Sequence, residues 1–113
     1  MTDCLFCKIA AGEVDSDIVV NRGDIVAFRD INPAARTHVL VIPKRHIASA
    51  ADLTDSDGNL LAEIFATINE IATQEGLNGG YRVVTNIGPD AGQSVHHLHF
   101  HLIGGRAMDW PPG

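Results

Sequence analysis

From His97 to Ile103 the chain alternates imidazole and hydrocarbon: His97-Leu98-His99-Phe100-His101-Leu102-Ile103. Side chains on a β-strand point to opposite faces in turn. The run therefore predicts a strand, taken as Ser94 to Ile103, with Leu98, Phe100 and Leu102 on a core and three histidines on a cleft or in solvent. At ~3.3 Å per residue the outer two histidines lie about 13 Å apart along such a strand, too far for one metal ion to reach all three easily, although two neighbours could share one. A hydrogen-bonded surface row without chemistry is the plain alternative. Three imidazoles on one face beside a glycine-rich loop argue against it, because neutral imidazole attacks phosphorus without prior deprotonation. His96 faces the other way and reads as a structural or rim residue.

The rest of the chain supplies elements for that strand to join. Leu5 to Ala10 reads as a short helix stopped by Gly12. Ile18–Arg22 and Ile25–Arg29 read as a hairpin, and Thr37 to Ile42 as a third strand ended by Pro43. Leu60, Leu61, Ile64, Phe65, Ile68, Ile71 and Ala72 keep helical spacing, which predicts a long helix from about Asp55 to Glu75 with a Thr54/Asp57 capping box and Gly76 as its stop. Tyr81 to Asn86 reads as a fourth strand, followed by the small-residue loop Ile87 to Gln93. These elements predict a single α+β domain over residues 1–113, built on an antiparallel sheet of about five strands with one long and one short helix. A chain of 113 residues can bury such a core without disulfides.

Charge narrows the partners. A net charge of −6 with no basic block speaks against nucleic acid, but a small phosphorylated ligand can be held by backbone N–H groups and a few side chains. No stretch approaches the ~20 apolar residues of a membrane span, and Met1-Thr2-Asp3-Cys4 lacks a basic n-region, so the expected location is cytoplasmic.

The heptapeptide at 97–103 matches without gaps the motif of the histidine-triad (HIT) superfamily, and the resemblance runs over nearly the whole chain. Leu5-Phe6-Cys7-Lys8-Ile9, Phe28-Arg29-Asp30-Ile31-Asn32-Pro33, Thr37 to Ile47, Gly80-Tyr81-Arg82 and Gly92-Gln93-Ser94-Val95 are similar to segments of its Hint branch. The ending Gly104-Gly105-Arg106-Ala107-Met108-Asp109-Trp110-Pro111-Pro112-Gly113 discriminates most, since dinucleoside-polyphosphate hydrolases of the superfamily usually carry a Pro-Arg-Lys stretch there.

The resemblance implies a nucleoside phosphoramidate hydrolase. His99 attacks the α-phosphate to give a nucleotidyl-histidine, with its Nδ1–H donated to a backbone carbonyl and Nε2 free. It assigns phosphate contacts to Asn86, Gly92, Ser94 and His101, with Gln93 in the same loop, and the ribose hydroxyls to Asp30. Leu5, Phe6, Ile9, Phe28 and Ile31 would wall a purine base, the ligand being an AMP or GMP derivative. Physically the apolar five are equally good core residues, and Asp30 equally reads as a solvated turn residue. The superfamily also implies a homodimer of edge-joined sheets.

Cys4-x-x-Cys7 lacks the preceding strand of a redox dithiol. As zinc ligands the pair needs two partners, and zinc-binding members of the superfamily imply His46 and His97; buried free thiols are the alternative. Such an ion would pin the N-terminal segment to the catalytic strand, with its main effect on stability. Rival functions are a dinucleoside-polyphosphate hydrolase, a nucleotidyl transferase, or a non-enzymatic nucleotide sensor for a protein partner.

Overall fold

Short connections between apolar runs force neighbouring strands to lie antiparallel. In the computed structural model, which describes residues 3–113, β1 (Ile18–Arg22) turns into β2 (Ile25–Arg29) through Gly23, whose φ of 57° suits a two-residue hairpin. Met1 and Thr2, part of the N-terminal stretch considered above, lie outside the described residues. β2 leads to β3 (Thr37–Pro43), and β4 (Tyr81–Val84) precedes β5 (Phe100–Gly104). All adjacent pairs are antiparallel in the order β1-β2-β3-β5-β4, so β5 inserts between β3 and β4.

The short helix α1 spans Leu5–Ala10 and the long helix α2 spans Gly58–Gln74. A 3-10 turn at Asp55–Asp57 leads into α2, and there the Thr54 N–H donates to Asp57 Oδ2 at 2.9 Å. Gly76, with φ 73°, follows the last turn of α2. No helix among the described residues is long and apolar enough to cross a membrane.

Period-two alternation divides β2 and β3 between two cores. Ile25, Ala27, Val39 and Val41 meet Ile64, Ile68 and Ile71 of α2, together with Leu98, Phe100 and Leu102. Val26, Phe28, Leu40 and Ile42 face the other way, onto Phe6 and Ile9 of α1. Covered on both faces, β3 is buried from end to end.

Two strand boundaries differ from the sequence reading. β4 stops at Val84 rather than Asn86, because Thr85 and Asn86 turn their side chains to loop carbonyls: Thr85 Oγ1 donates to the His99 carbonyl and Asn86 Nδ2 to the Ala91 carbonyl, both at 2.8 Å. β5 begins at Phe100, not Ser94. Continuing its register with β3 would set Leu98 opposite Pro43, which has no N–H to offer. The Leu98 N–H instead donates to the Ile47 carbonyl at 2.6 Å. His97, His99 and His101 therefore do not share one regular strand face, although Leu98, Phe100 and Leu102 all reach the α2 core.

Candidate functional site

A six-residue helix is too short to persist alone, so α1 depends on what holds it. Its N-cap is Cys4, whose Sγ accepts the Cys7 N–H at 3.4 Å. Its buried face places Phe6 edge-on against Phe28 and against the His99 ring, with ring centroids 5.3 and 5.1 Å apart. Beside this contact an open cavity of about 420 Å³ separates α1 from the end of β2.

Leu5, Phe6, Ile9, Phe28 and Ile31 line this cavity, with Val14, Leu40 and Val95 completing its apolar part. Asp30, Ser94, His99 and His101 line it as well, so the structure gathers nine of the residues nominated from sequence around one space. Asn86, Gly92 and Gln93 are not among its lining residues. Gln93 spends its amide on the loop: Oε1 accepts the Gly88 N–H at 2.9 Å, and Nε2 donates to the Ala48 and Val95 carbonyls at 2.8 and 3.0 Å. Gly92 closes the Pro89–Ala91 turn at φ 85°, a left-handed conformation that favours glycine. Asp15 and Ser16, from the α1–β1 connection, also line the cavity, unnoticed in the sequence because nothing local marks that connection as near the site.

The hydrogen bonds fix where the histidine protons sit. His99 Nδ1 lies 2.6 Å from the His97 carbonyl. A carbonyl only accepts, so Nδ1 carries the proton and neutral His99 keeps a lone pair on Nε2. His38, which sequence reading passed over, sets the state of His101. The Ala34 N–H donates to His38 Nδ1 at 3.0 Å, so His38 carries its proton on Nε2 and donates it to His101 Nδ1 at 2.9 Å. His101 is left with Nε2–H as a donor. Burial pushes its pKa down to about 4, helped by His99 and His38 and opposed by Asp30, so the ring is neutral at pH 7. The alternation of β3 held the missing signal, since His38 shares a face with Leu40 and Ile42.

Asp30 accepts the Asn32 N–H on Oδ1 at 2.8 Å, and its Oδ2 lies 3.4 Å from His38 Nε2. It is thus both a turn residue and a cavity residue. Asp30, His38 and His101 bring three donor atoms within 4.8 Å of one another. Because His38 Nε2 presents a proton rather than a lone pair, this group is a hydrogen-bond chain and not a metal cradle.

A second cluster lies behind the first. Cys4 Sγ and Cys7 Sγ stand 3.3 and 3.5 Å from His97 Nδ1, and Cys7 Sγ stands 3.3 Å from His46 Nδ1. The four ligand atoms all fall within 4.8 Å of one another. His97 is fully buried, and its Nε2–H donates to the Pro43 carbonyl at 2.8 Å, which turns the Nδ1 lone pair toward the sulfurs. Burial chiefly lowers the His97 pKa and raises that of Cys7. Two thiols and two imidazoles, one already oriented by a backbone carbonyl, fit zinc. His96 is exposed and belongs to neither cluster.

A family model described as "Scavenger mRNA decapping enzyme C-term binding" matches residues 3–109. Over 111 residues the chain is 49% identical to an uncharacterized HIT-like protein of Synechococcus elongatus, covering 98% of this chain and 97% of that one. It is 45% identical over 111 residues to a 14 kDa zinc-binding protein of Zea mays, covering 96% and 87% of the two chains. Among solved structures it is similar to a HIT family hydrolase from Legionella pneumophila, at 52% identity and a TM-score of 0.96, covering 98% of this chain and all of that one.

Proposed function

The chain belongs to the histidine-triad superfamily, and from that premise we propose that it is a Hint-type hydrolase of purine nucleoside 5′-phosphoramidates. The observation that carries this reading is the 2.6 Å contact from His99 Nδ1 to the His97 carbonyl. It commits the ring to the tautomer with a nucleophilic Nε2, on a residue that lines the cavity beside His101 and Ser94.

In the first step Nε2 of His99 bonds to the α-phosphorus while the phosphorus–nitrogen bond to the amine breaks, and the amine takes up a proton from solvent as it leaves, which the water of the second step returns. Water then cleaves the phosphorus–histidine bond and releases the nucleoside monophosphate. The Nε2–H of His101 and the Ser94 hydroxyl are the donors for the phosphoryl oxygens, whose charge grows along the reaction. Asp30 accepts the ribose hydroxyls with the acceptor capacity its turn leaves free. Leu5, Phe6, Ile9, Phe28 and Ile31 hold the base by apolar contact, which suits AMP and GMP derivatives alike. Asn86, Gly92 and Gln93 serve through the loop whose shape they hold.

Cys4, Cys7, His46 and His97 would bind zinc, as the name of the Zea mays relative suggests. When bound, the ion supplies a structural crosslink between α1, the segment after β3 and the segment before β5. The protein acts as a homodimer, supported by the place of β4 at the end of the sheet, where its outer edge is open to a second copy.

Purified protein should turn over an adenosine 5′-phosphoramidate at least about tenfold faster, in kcat/KM, than a diadenosine polyphosphate, a difference of ~1.4 kcal/mol in barrier. The reverse ranking would move the chain to another branch of the superfamily. Binding of AMP without turnover of either substrate would favour the sensor role.

A further inference from the structure

The donor cluster and the cavity meet in a single residue. The side chain of His97 belongs to the cluster, and its backbone carbonyl is the acceptor that orients His99. We infer that His97 is a positioning residue through which occupancy of the Cys4/Cys7/His46/His97 site sets the aim of the His99 imidazole. This rests on His99 being the nucleophile, as proposed above, and it assigns the cluster more than the stabilising role expected from sequence.

The linkage is short and stiff. The peptide unit joining His97 to Leu98 is planar, so fixing its ends fixes the direction of its carbonyl. At one end the Leu98 N–H donates to the Ile47 carbonyl at 2.6 Å, and Ile47 directly follows His46, another member of the cluster. At the other end the His97 ring is held from both nitrogens, by the Pro43 carbonyl on Nε2 and by the sulfurs of Cys4 and Cys7 around Nδ1. The carbonyl between these anchors receives the His99 proton at 2.6 Å.

A parallel route runs through α1. Phe6 packs edge-on against His97 as well as His99, with centroids 6.1 and 5.1 Å away, and it sits on the helix that Cys4 and Cys7 tie to the cluster. Emptying the site frees the His97 ring on one side and α1 on the other. The His99 ring then loses both its hydrogen-bond direction and its packing neighbour. Nucleotide binding is shared between α1, which supplies Leu5, Phe6 and Ile9, and Phe28, Asp30, Ile31 and Ser94, which lie outside that helix, so affinity should fall by less than the rate of the chemical step.

The test compares zinc-loaded protein, zinc-stripped protein and the variants His46→Asn and His46→Cys, all well below their melting temperatures. The readouts are the His99 Nδ1–H resonance in 15N-histidine-labelled protein, the AMP dissociation constant, and kcat. Stripping should remove the resonance by opening it to exchange and lower kcat about 10- to 100-fold, while AMP affinity falls by clearly less than kcat does. His46→Asn should reproduce this loss although it lies outside the cavity, His46→Cys should keep both signals, and zinc added back to stripped wild type should restore them.

A zinc-free protein with an intact sheet spectrum, a persistent His99 resonance and unchanged kcat would overturn the coupling. So would collapse of the whole amide spectrum in both the stripped protein and His46→Asn, since the cluster would then hold the fold rather than one hydrogen bond. Failure of zinc-loaded wild type to hydrolyse a phosphoramidate would strike only the substrate reading, because the resonance still decides the coupling.

Discussion

On the α2 face of the sheet, Ile64, Ile68 and Ile71 are fully buried against Val39, Val41 and Leu102 in a continuous aliphatic layer. On the opposite face α1 contributes Phe6 and Ile9 as its buried residues, and beside them the sheet stays open as the cavity that holds His99 and His101. The first face is close-packed by a helix of seventeen residues, long enough to cover the strands beneath it. The second is covered by six residues that need other anchors, and the four-donor cluster at their N-terminal end is the evident one. Stability is concentrated on one face and reactivity on the other, with β3 buried between them.

The sharpest way to break this division is a pair of truncations. His99→Ala should lower turnover by several orders of magnitude, upward of ~4 kcal/mol in transition-state stabilisation, while AMP binding and the melting temperature stay near wild type. Ile68→Ala should do the opposite, costing about 2–5 kcal/mol in stability by leaving a cavity in the α2 layer, with kcat nearly unchanged below its melting temperature. Denaturant unfolding and steady-state kinetics on both variants check the pair. Equal losses in both properties for either variant would mean that the two faces are not separable.

The same division explains what the sequence disclosed. The α2 layer was legible because its periods are local: residues of α2 recur at helical spacing and those of β2 and β3 alternate, so burial follows from neighbours in the chain. The reactive face was legible only where the histidine run advertised it. The start of β5 was not, because Pro43 prevents the ladder from continuing, and Pro43 reaches His97 across 54 positions. The role of His38 depends on His101, 63 positions away, and the bond by which Gln93 braces its loop reaches Ala48, 45 positions distant. The grouping of Cys4, Cys7, His46 and His97 came from resemblance, since spacing alone offered the two cysteines without their partners.

A smaller effect sharpens the comparison through acidity. In the unfolded chain His101 takes a proton near pH ~6.5, whereas in the fold its pKa is about 4, chiefly through burial. Between these values the unfolded chain binds more protons than the folded one, so the folded state loses stability as pH falls from about 6.5 to 4 and gains no further penalty from His101 below that. Glu75, paired with Arg29 and held below its ordinary range, loses its stabilisation at the lower end of this window and beyond. His101→Gln should therefore show a shallower decline of melting temperature than wild type from pH 6.5 to 4, with parallel curves below. Superimposable profiles would mean that His101 takes up its proton in the fold as readily as in water.

The central claim is that His99 forms a bond to phosphorus, and the most direct measurement is mass spectrometry of a rapidly quenched reaction with an adenosine phosphoramidate. The account predicts a nucleotidyl adduct on the peptide spanning residues 94–103, located at His99 by fragmentation and absent from His99→Ala. Steady turnover with no adduct, or an adduct on His101 or any residue outside this peptide, would contradict it.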